Sequence, residues 1–126
     1  MANRYQFTAG KRNKILQKLD SRCAYCGEQL STATMTIDHV KPLSGNGTNK
    51  LSNLVPSCMD CNLFKNSMRM STFRKRIWEL LRIKKDTLWY YNPLRIRMLE
   101  KYEPVFYCQD FKEVVFYNET LEETND

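Results

Sequence analysis

The stretch that decides the fold reads Cys23-Ala-Tyr-Cys26-Gly27, then Thr36-Ile-Asp38-His39-Val-Lys-Pro42-Leu-Ser44-Gly45-Asn46-Gly47, then Asn53-Leu54, and last Cys58-Met-Asp-Cys61-Asn62-Leu-Phe-Lys65. Two CxxC pairs enclose 31 residues. Each pair sets two thiols on one tight turn, where both reach a single ion, and two pairs complete the tetrahedral sulfur shell that zinc prefers in closed structural sites. The spacing therefore predicts a structural Zn2+ held by Cys23, Cys26, Cys58 and Cys61. A redox role is the competing reading of any CxxC, but two pairs at this spacing, without a thioredoxin-like strand pattern, favour the metal. Inside the clasp lie the chain's one histidine, an adjacent carboxylate and a glycine-bearing loop, which are groups suited to chemistry.

Working outward, Thr34–Val40 alternates and is β-branched, so it reads as a strand ending at the Asp-His pair. Pro42 stops it, residues 44–50 form a loop, Asn53–Pro56 suits a short returning strand, and Cys58–Met70 suits a helix opened by the second CxxC. Upstream, Thr8 can cap a helix whose apolar stripe is Ile15, Leu16 and Leu19 and which ends near Asp20. Downstream, residues 72–85 form an amphipathic helix with Phe73, Ile77, Leu80 and Leu81 on one face. Asn92-Pro93 starts another helix, ended by Glu103-Pro104 near Tyr102. Val105–Tyr117 suggests a hairpin, with helix over 111–119 as the alternative, and the acidic residues 121–126 are expected to fray. The expectation is a single α+β domain over residues 1–126: a zinc-stapled strand-loop-strand-helix core at 23–65, an N-terminal helix, and a helical and β extension at 72–126.

Composition narrows the functions. At 126 residues the chain is one domain's worth, near the size at which a metal staple adds useful stability. No apolar run exceeds four residues, which excludes a membrane span or signal-peptide core from this sequence and predicts a soluble, cytoplasmic protein. Five cysteines, four in metal-ligand spacing and Cys108 left over as a buried hydrophobe, suit a reducing compartment rather than a disulfide framework. Residues 1–85 carry 16 Lys and Arg against 5 acids, whereas residues 86–126 carry 4 against 9. A basic segment of this kind attracts phosphate backbones, although basic faces also occur on proteins with no such partner. Trp89, Tyr90 and Tyr91 could stack on bases but read better as core.

The residues inside the clasp fit phosphodiester hydrolysis, which needs an activated water, neutralisation of the phosphoryl charge and a stabilised leaving oxygen. An imidazole is largely neutral near pH 7 and can take a proton from water, so His39 suits the general base. A lone histidine is more often structural, or could replace a cysteine on zinc, but the neighbouring Asp38 and the context of Asn53 and Asn62 favour catalysis. Asp38 and the amide oxygen of Asn62 suit a hard divalent ion, Mg2+ or Mn2+, with water and substrate completing its shell. Adjacent strand residues point to opposite faces, so Asp38 and His39 share a face only where the strand ends or bulges. Asn62 could equally cap its helix. Lys65 and Arg69 are expected one and two turns along that helix, facing a phosphate.

Taken together, Cys-x-x-Cys-Gly, Asp38-His39-x-x-Pro42-x-Ser44-x-Gly, Asn53-Leu54 and Cys58-x-x-Cys61-Asn62-x-x-Lys65 resemble the HNH nuclease family, whose catalytic unit is a ββα-metal (His-Me) finger. The resemblance covers residues 23–65. Two departures stand out: the family's frequent Gly-Gly is here Gly45-Asn46-Gly47, and its final histidine is Asn62, a known variant. The resemblance implies a metal-dependent endonuclease that leaves a 5′-phosphate and a 3′-hydroxyl, with Asn53 tying down the loop and holding His39. With the basic first half it favours duplex DNA as substrate over structured RNA or single strands, nicked by one chain or cut through both strands by a homodimer, by two sequential events or with a larger protein partner docked through residues 72–126. The competing classes are a zinc-finger module that binds DNA or protein without cutting, and an accessory subunit of a larger nucleic-acid-processing complex.

Overall fold

Thr8 opens the first helix by accepting a hydrogen bond from the Lys11 amide at 3.2 Å, which satisfies one of the donors every helix start leaves unpaired. This is α1 (Ala9–Gln17) of a computed structural model that describes residues 7–82, 92–106 and 114–119. Its stripe buries Ile15 and Leu16, and Leu19 follows them into the core just past its end. Asp20 and Ser21 then take positive φ angles of 55° and 60°, turning the chain into the first CxxC. There Gly27, at φ 79°, closes the knuckle through its amide bond to the Cys23 carbonyl, a conformation that a Cβ disfavours.

The two expected strands form and pair. β1 (Thr36–His39) runs antiparallel to β2 (Leu54–Ser57), with Asp38 opposite Val55 and His39 opposite Leu54. Between them the chain makes two short 3-10 turns, at Leu43–Gly45 and Leu51–Asn53. The Gly-Asn-Gly departure has a physical basis here. Asn46 takes the left-handed conformation at φ 71°, which asparagine tolerates, while a Cβ at Gly47 would lie 1.8 Å from the Lys41 carbonyl oxygen.

Cys58 caps the next helix, its sulfur accepting from the Cys61 amide at 3.4 Å. This helix, α2 (Met59–Lys65), is shorter than the expected 58–70, because Asn66 breaks it at φ 52°, ψ −125°. A new helix, α3 (Met70–Arg82), begins four residues later and buries Phe73, Ile77 and Leu80, as the amphipathic pattern requires. α4 (Pro93–Phe106) starts at the expected Asn92-Pro93, where the Asn92 side chain accepts from the Arg95 amide at 2.8 Å. It does not stop at Tyr102 but continues through Pro104, which near a helix end removes only one late hydrogen bond.

The result is a small α+β fold. α1 packs on β2, α2 on β1 and α4, and α3 on α4, around a core that joins Ile15, Tyr25, Leu54, Phe73, Ile77, Met98, Tyr102 and Phe116. The Phe73 and Phe116 rings stack at 4.8 Å between centroids, with Tyr25 edge-on to both. No strand occurs in the described part of the C-terminal extension, where Val114–Phe116 is irregular and residues 117–119 make one helical turn. The rest of the expected hairpin, together with Trp89, Tyr90, Tyr91, Cys108 and the acidic end, lies outside the described residues. No helix among the described residues is long and apolar enough to cross a membrane.

Candidate active site and metal centre

The four thiols of the two CxxC pairs converge, all within 4.8 Å of one another, with the Cys26 and Cys58 sulfurs 3.8 Å apart. A tetrahedral ion with metal–sulfur bonds of about 2.3 Å sets its ligands about 3.8 Å apart, so the cluster can hold a metal ion such as zinc. Their mutual crowding points the same way. The Cys23 sulfur, and then Cys58, push the Cys26 thiol well above the ordinary cysteine range, and Cys23, Cys26 and Cys58 push up Cys61, whereas the sulfur neighbours of Cys23 lower it against its burial and Cys26 and Cys61 lower Cys58 against Cys23. The surroundings add donors. The Tyr25 amide reaches the Cys23 sulfur at 3.4 Å, and the Tyr102 hydroxyl lies 3.2 Å from the Cys61 sulfur. Burial, and then the Cys61 sulfur, push the Tyr102 hydroxyl well above the ordinary tyrosine range, so it stays protonated beside that sulfur.

From the clasp the chain leads directly to Asp38. Its carboxylate is 4% exposed, and its Oδ2 accepts both a very short bond from the Tyr25 hydroxyl and an ion pair from the Lys65 ammonium at 2.9 Å. Burial, and then the Asp38 charge, push the Tyr25 hydroxyl far above its usual range and keep it a donor. Lys65 also donates to the His39 carbonyl at 3.0 Å and is fully buried. The sequence-based expectation that Lys65 meets a phosphate is therefore corrected. Its ammonium is spent inside the protein, pinning α2 to the end of β1, because the N–H donors of a buried lysine must find acceptors there. Arg69 is exposed but lies beyond the break at Asn66, so it is not two turns along the helix of Asn62.

Asp38 and His39 have different partners, as strand alternation dictates. The His39 imidazole is 7% exposed, and its Nε2 lies 2.7 Å from the Oδ1 of Asn49. Asn53 acts on the loop instead. Its side chain accepts from the Lys41 amide at 2.8 Å and donates to the Lys41 and Thr48 carbonyls at 3.0 and 2.8 Å, closing the turn through Gly47. Asn49 is the residue that sequence reasoning missed, and nothing in the sequence distinguishes it from Asn46 or Asn53 as the one that reaches the histidine. Asn62 sits on α2 one turn before Lys65, half-buried, and its side chain makes no hydrogen bond among the described residues. The bonds to Asp38 fall on Oδ2. Asp38 Oδ1 and the Asn62 amide oxygen are hard donors of the kind that suit a divalent ion.

The part of the chain that carries these residues is similar to known nucleases. Residues 23–67 match the family model described as HNH endonuclease. Over 65 residues the chain is 34% identical to the CRISPR-associated endonuclease Cas9 of Corynebacterium diphtheriae, a match that covers 51% of this chain and 6% of that protein. Its fold is similar to part of the crystal structure of the Type II-C Cas9 enzyme from Actinomyces naeslundii, with a TM-score of 0.50 and 20% identity over 77% of this chain and 12% of that one. The chain thus spans a small part of the length of the proteins it matches.

Proposed function

We propose that this chain is a metal-dependent DNA endonuclease in which His39 is the general base and Asp38 and Asn62 bind the catalytic divalent ion, Mg2+ or Mn2+. The supporting observation is the Lys65 bridge: one buried ammonium ties α2, which carries Asn62, to both Asp38 and the His39 backbone. With residues 23–67 matching the HNH model, the three side chains are held on neighbouring elements of one catalytic unit. The clasp holds Zn2+ and is structural, since four thiolates leave no open position for substrate.

When bound, the divalent ion neutralises charge that builds on the phosphoryl oxygens and the leaving oxygen. The chain's own residues do the rest. His39 takes a proton from water as the water oxygen bonds to phosphorus and the bond from phosphorus to the 3′ oxygen breaks, and that oxygen gains a proton from solvent to become the 3′-hydroxyl. Tyr25 and Lys65 orient Asp38 through their bonds to its Oδ2. Arg69 and the other exposed basic residues of the first 85 positions contact the phosphate backbone of the duplex. A second reading, that the domain cuts only within a larger complex, is favoured by the matched proteins, of which the similar region is 6% and 12%.

Incubation of the purified chain with supercoiled plasmid and Mg2+ or Mn2+ tests the proposal. The parent should nick the plasmid. His39→Ala should lower the rate by at least about 100-fold, within the range a general base supplies, while leaving DNA affinity and melting temperature close to the parent's. Cleavage by His39→Ala at the parent rate would remove His39 from the role of base.

A further inference from the structure

We propose that Lys101 is a positioning residue of the metal centre: from α4 its ammonium braces the two halves of the thiol clasp against each other and so slows loss of the ion. The inference rests on the clasp holding Zn2+ and adds a residue that lies outside the span 23–67 matched by the family model. Lys101 Nζ is 2.9 Å from Glu28 Oε1 and 3.8 Å from Asp60 Oδ2. Glu28 belongs to the first knuckle, just past Cys26, and its carbonyl accepts the Cys23 amide at 2.8 Å. Asp60 stands on α2 between Cys58 and Cys61, and its Oδ1 accepts from Arg97 Nε at 2.9 Å. One ammonium thus spans both CxxC pairs, and Arg97, one turn earlier on α4, holds the second pair again.

The value of such a brace follows from how a clasp opens. Its halves are separated by 31 residues, and the chain between them brings them together only at an entropic cost. The ion is lost when one half opens and its thiols do not return in time. A tie that does not pass through the ion keeps the open half at a high effective concentration, so return wins over escape. α4 is suited to supply that tie because it is anchored elsewhere. Met98 and Tyr102, on either side of Lys101, are fully buried in the core, and the Tyr102 hydroxyl reaches the Cys61 sulfur at 3.2 Å. The Glu28 side chain is half exposed, so the ion pair adds little to the stability of the whole fold. Its effect falls on local opening of the clasp, which is a separate equilibrium from global unfolding.

Transfer of zinc from the zinc-loaded full chain to an excess of the chromogenic chelator 4-(2-pyridylazo)resorcinol reads that opening directly. Lys101→Met keeps the aliphatic stem and should release zinc about 10-fold faster than the parent, as expected for a partner of the ligand shell. Its melting temperature in zinc-containing buffer should stay within about 3 °C of the parent's. Lys101→Arg keeps a cation in place and should release within about threefold of the parent rate. Glu28→Gln leaves α4 untouched and should also speed release, and the double variant Glu28→Gln, Lys101→Met should be no faster than Lys101→Met, since both changes remove the same tie. Release from Lys101→Met at the parent rate overturns the proposal, as do effects that multiply in the double variant. A Lys101→Met variant that melts far below the parent would assign its faster release to lost packing of α4, and in that case parent-like release from Glu28→Gln overturns the brace while faster release sustains it. A parent chain that carries no zinc on elemental analysis sinks the clasp reading itself, an outcome distinct from zinc that is present and released at the same rate by every variant.

Discussion

The thiolate clasp and the end of β1 are both made from residues close in sequence, yet the clasp brings its side chains together and the strand end sends them apart. Cys58 and Cys61 lie on one helical turn, as Cys23 and Cys26 lie on one knuckle, so all four sulfurs converge within 4.8 Å. Asp38 and His39 are consecutive in an extended strand. One carboxylate therefore faces Tyr25 and Lys65, and the imidazole beside it faces Asn49. The contrast teaches that spacing fixes geometry where the backbone turns within the motif, and leaves orientation open where the backbone is extended.

The sharpest way to break this comparison is to remove the convergence. Apparent binding free energies of structural zinc run to about 10–16 kcal/mol near pH 7, and most of that is folding free energy in a small domain. Cys58→Ser, or removal of metal by a strong chelator, should therefore unfold residues 23–65 and lower the melting temperature of the whole chain, because Tyr25, Cys61 and Tyr102 join the clasp to the aromatic core. Elemental analysis should find about one zinc per chain in the parent. A zinc-free protein whose Cys58→Ser variant melts like the parent would show that the convergence has no energetic meaning.

The divergent strand end predicts the next largest effect. Removing one partner of a buried ion pair leaves the other charged and unpaired, at a cost of about 3–5 kcal/mol. Lys65→Ala should destabilise the fold by about that much in denaturant titration, while leaving the salt dependence of DNA binding unchanged. Arg69→Ala should do the reverse. It is exposed, so stability should hold, and if it contacts one phosphate the log-log salt slope should become shallower by about 0.9. A Lys65→Ala variant with parent stability and a shallower slope would return this lysine to the surface role that its sequence position suggests.

These two residues also show what was legible in the chain. The clasp, the β1-loop-β2-α2 order, the Thr8 cap and the Asn92-Pro93 helix start all follow from local rules of spacing, capping and periodicity, and the structure contains them. The burial of Lys65 is not legible because a sequence displays charge but not burial, and only the meeting of α2 with β1 decides that this ammonium points inward. Arg69 falls in the connection before α3 rather than on the helix of Asn62, because Asn66 takes a rare backbone conformation, φ 52° with ψ −125°, which no propensity rule forecasts for an asparagine in a helical pattern. Asn49 lacked any signal for a similar reason. It reaches His39 through a loop whose path depends on lysines more than 30 positions away along the chain.

The smallest effect concerns how the C-terminal extension is fastened to the core. Arg74 on α3 forms a two-pronged ion pair with Glu119 at 2.8 and 2.7 Å and also donates to the Val114 carbonyl. Phe116, between those two partners, is fully buried against Phe73 and Tyr25. Burial alone would raise the Glu119 carboxyl, but the Arg74 hydrogen bonds and charge, with the Phe116 amide, hold it below the usual range. A carboxylate depressed in the folded state adds stability above its unfolded pKa and loses it as pH falls through the folded value. The pair is about one-third exposed, so solvent screening limits it to about 1 kcal/mol or less. Glu119→Gln should therefore melt slightly below the parent at neutral pH, and the gap should close as the pH is lowered through the carboxylate range. A gap that stays constant with pH would mean that packing of Phe116, rather than the charge on Glu119, holds this segment in place.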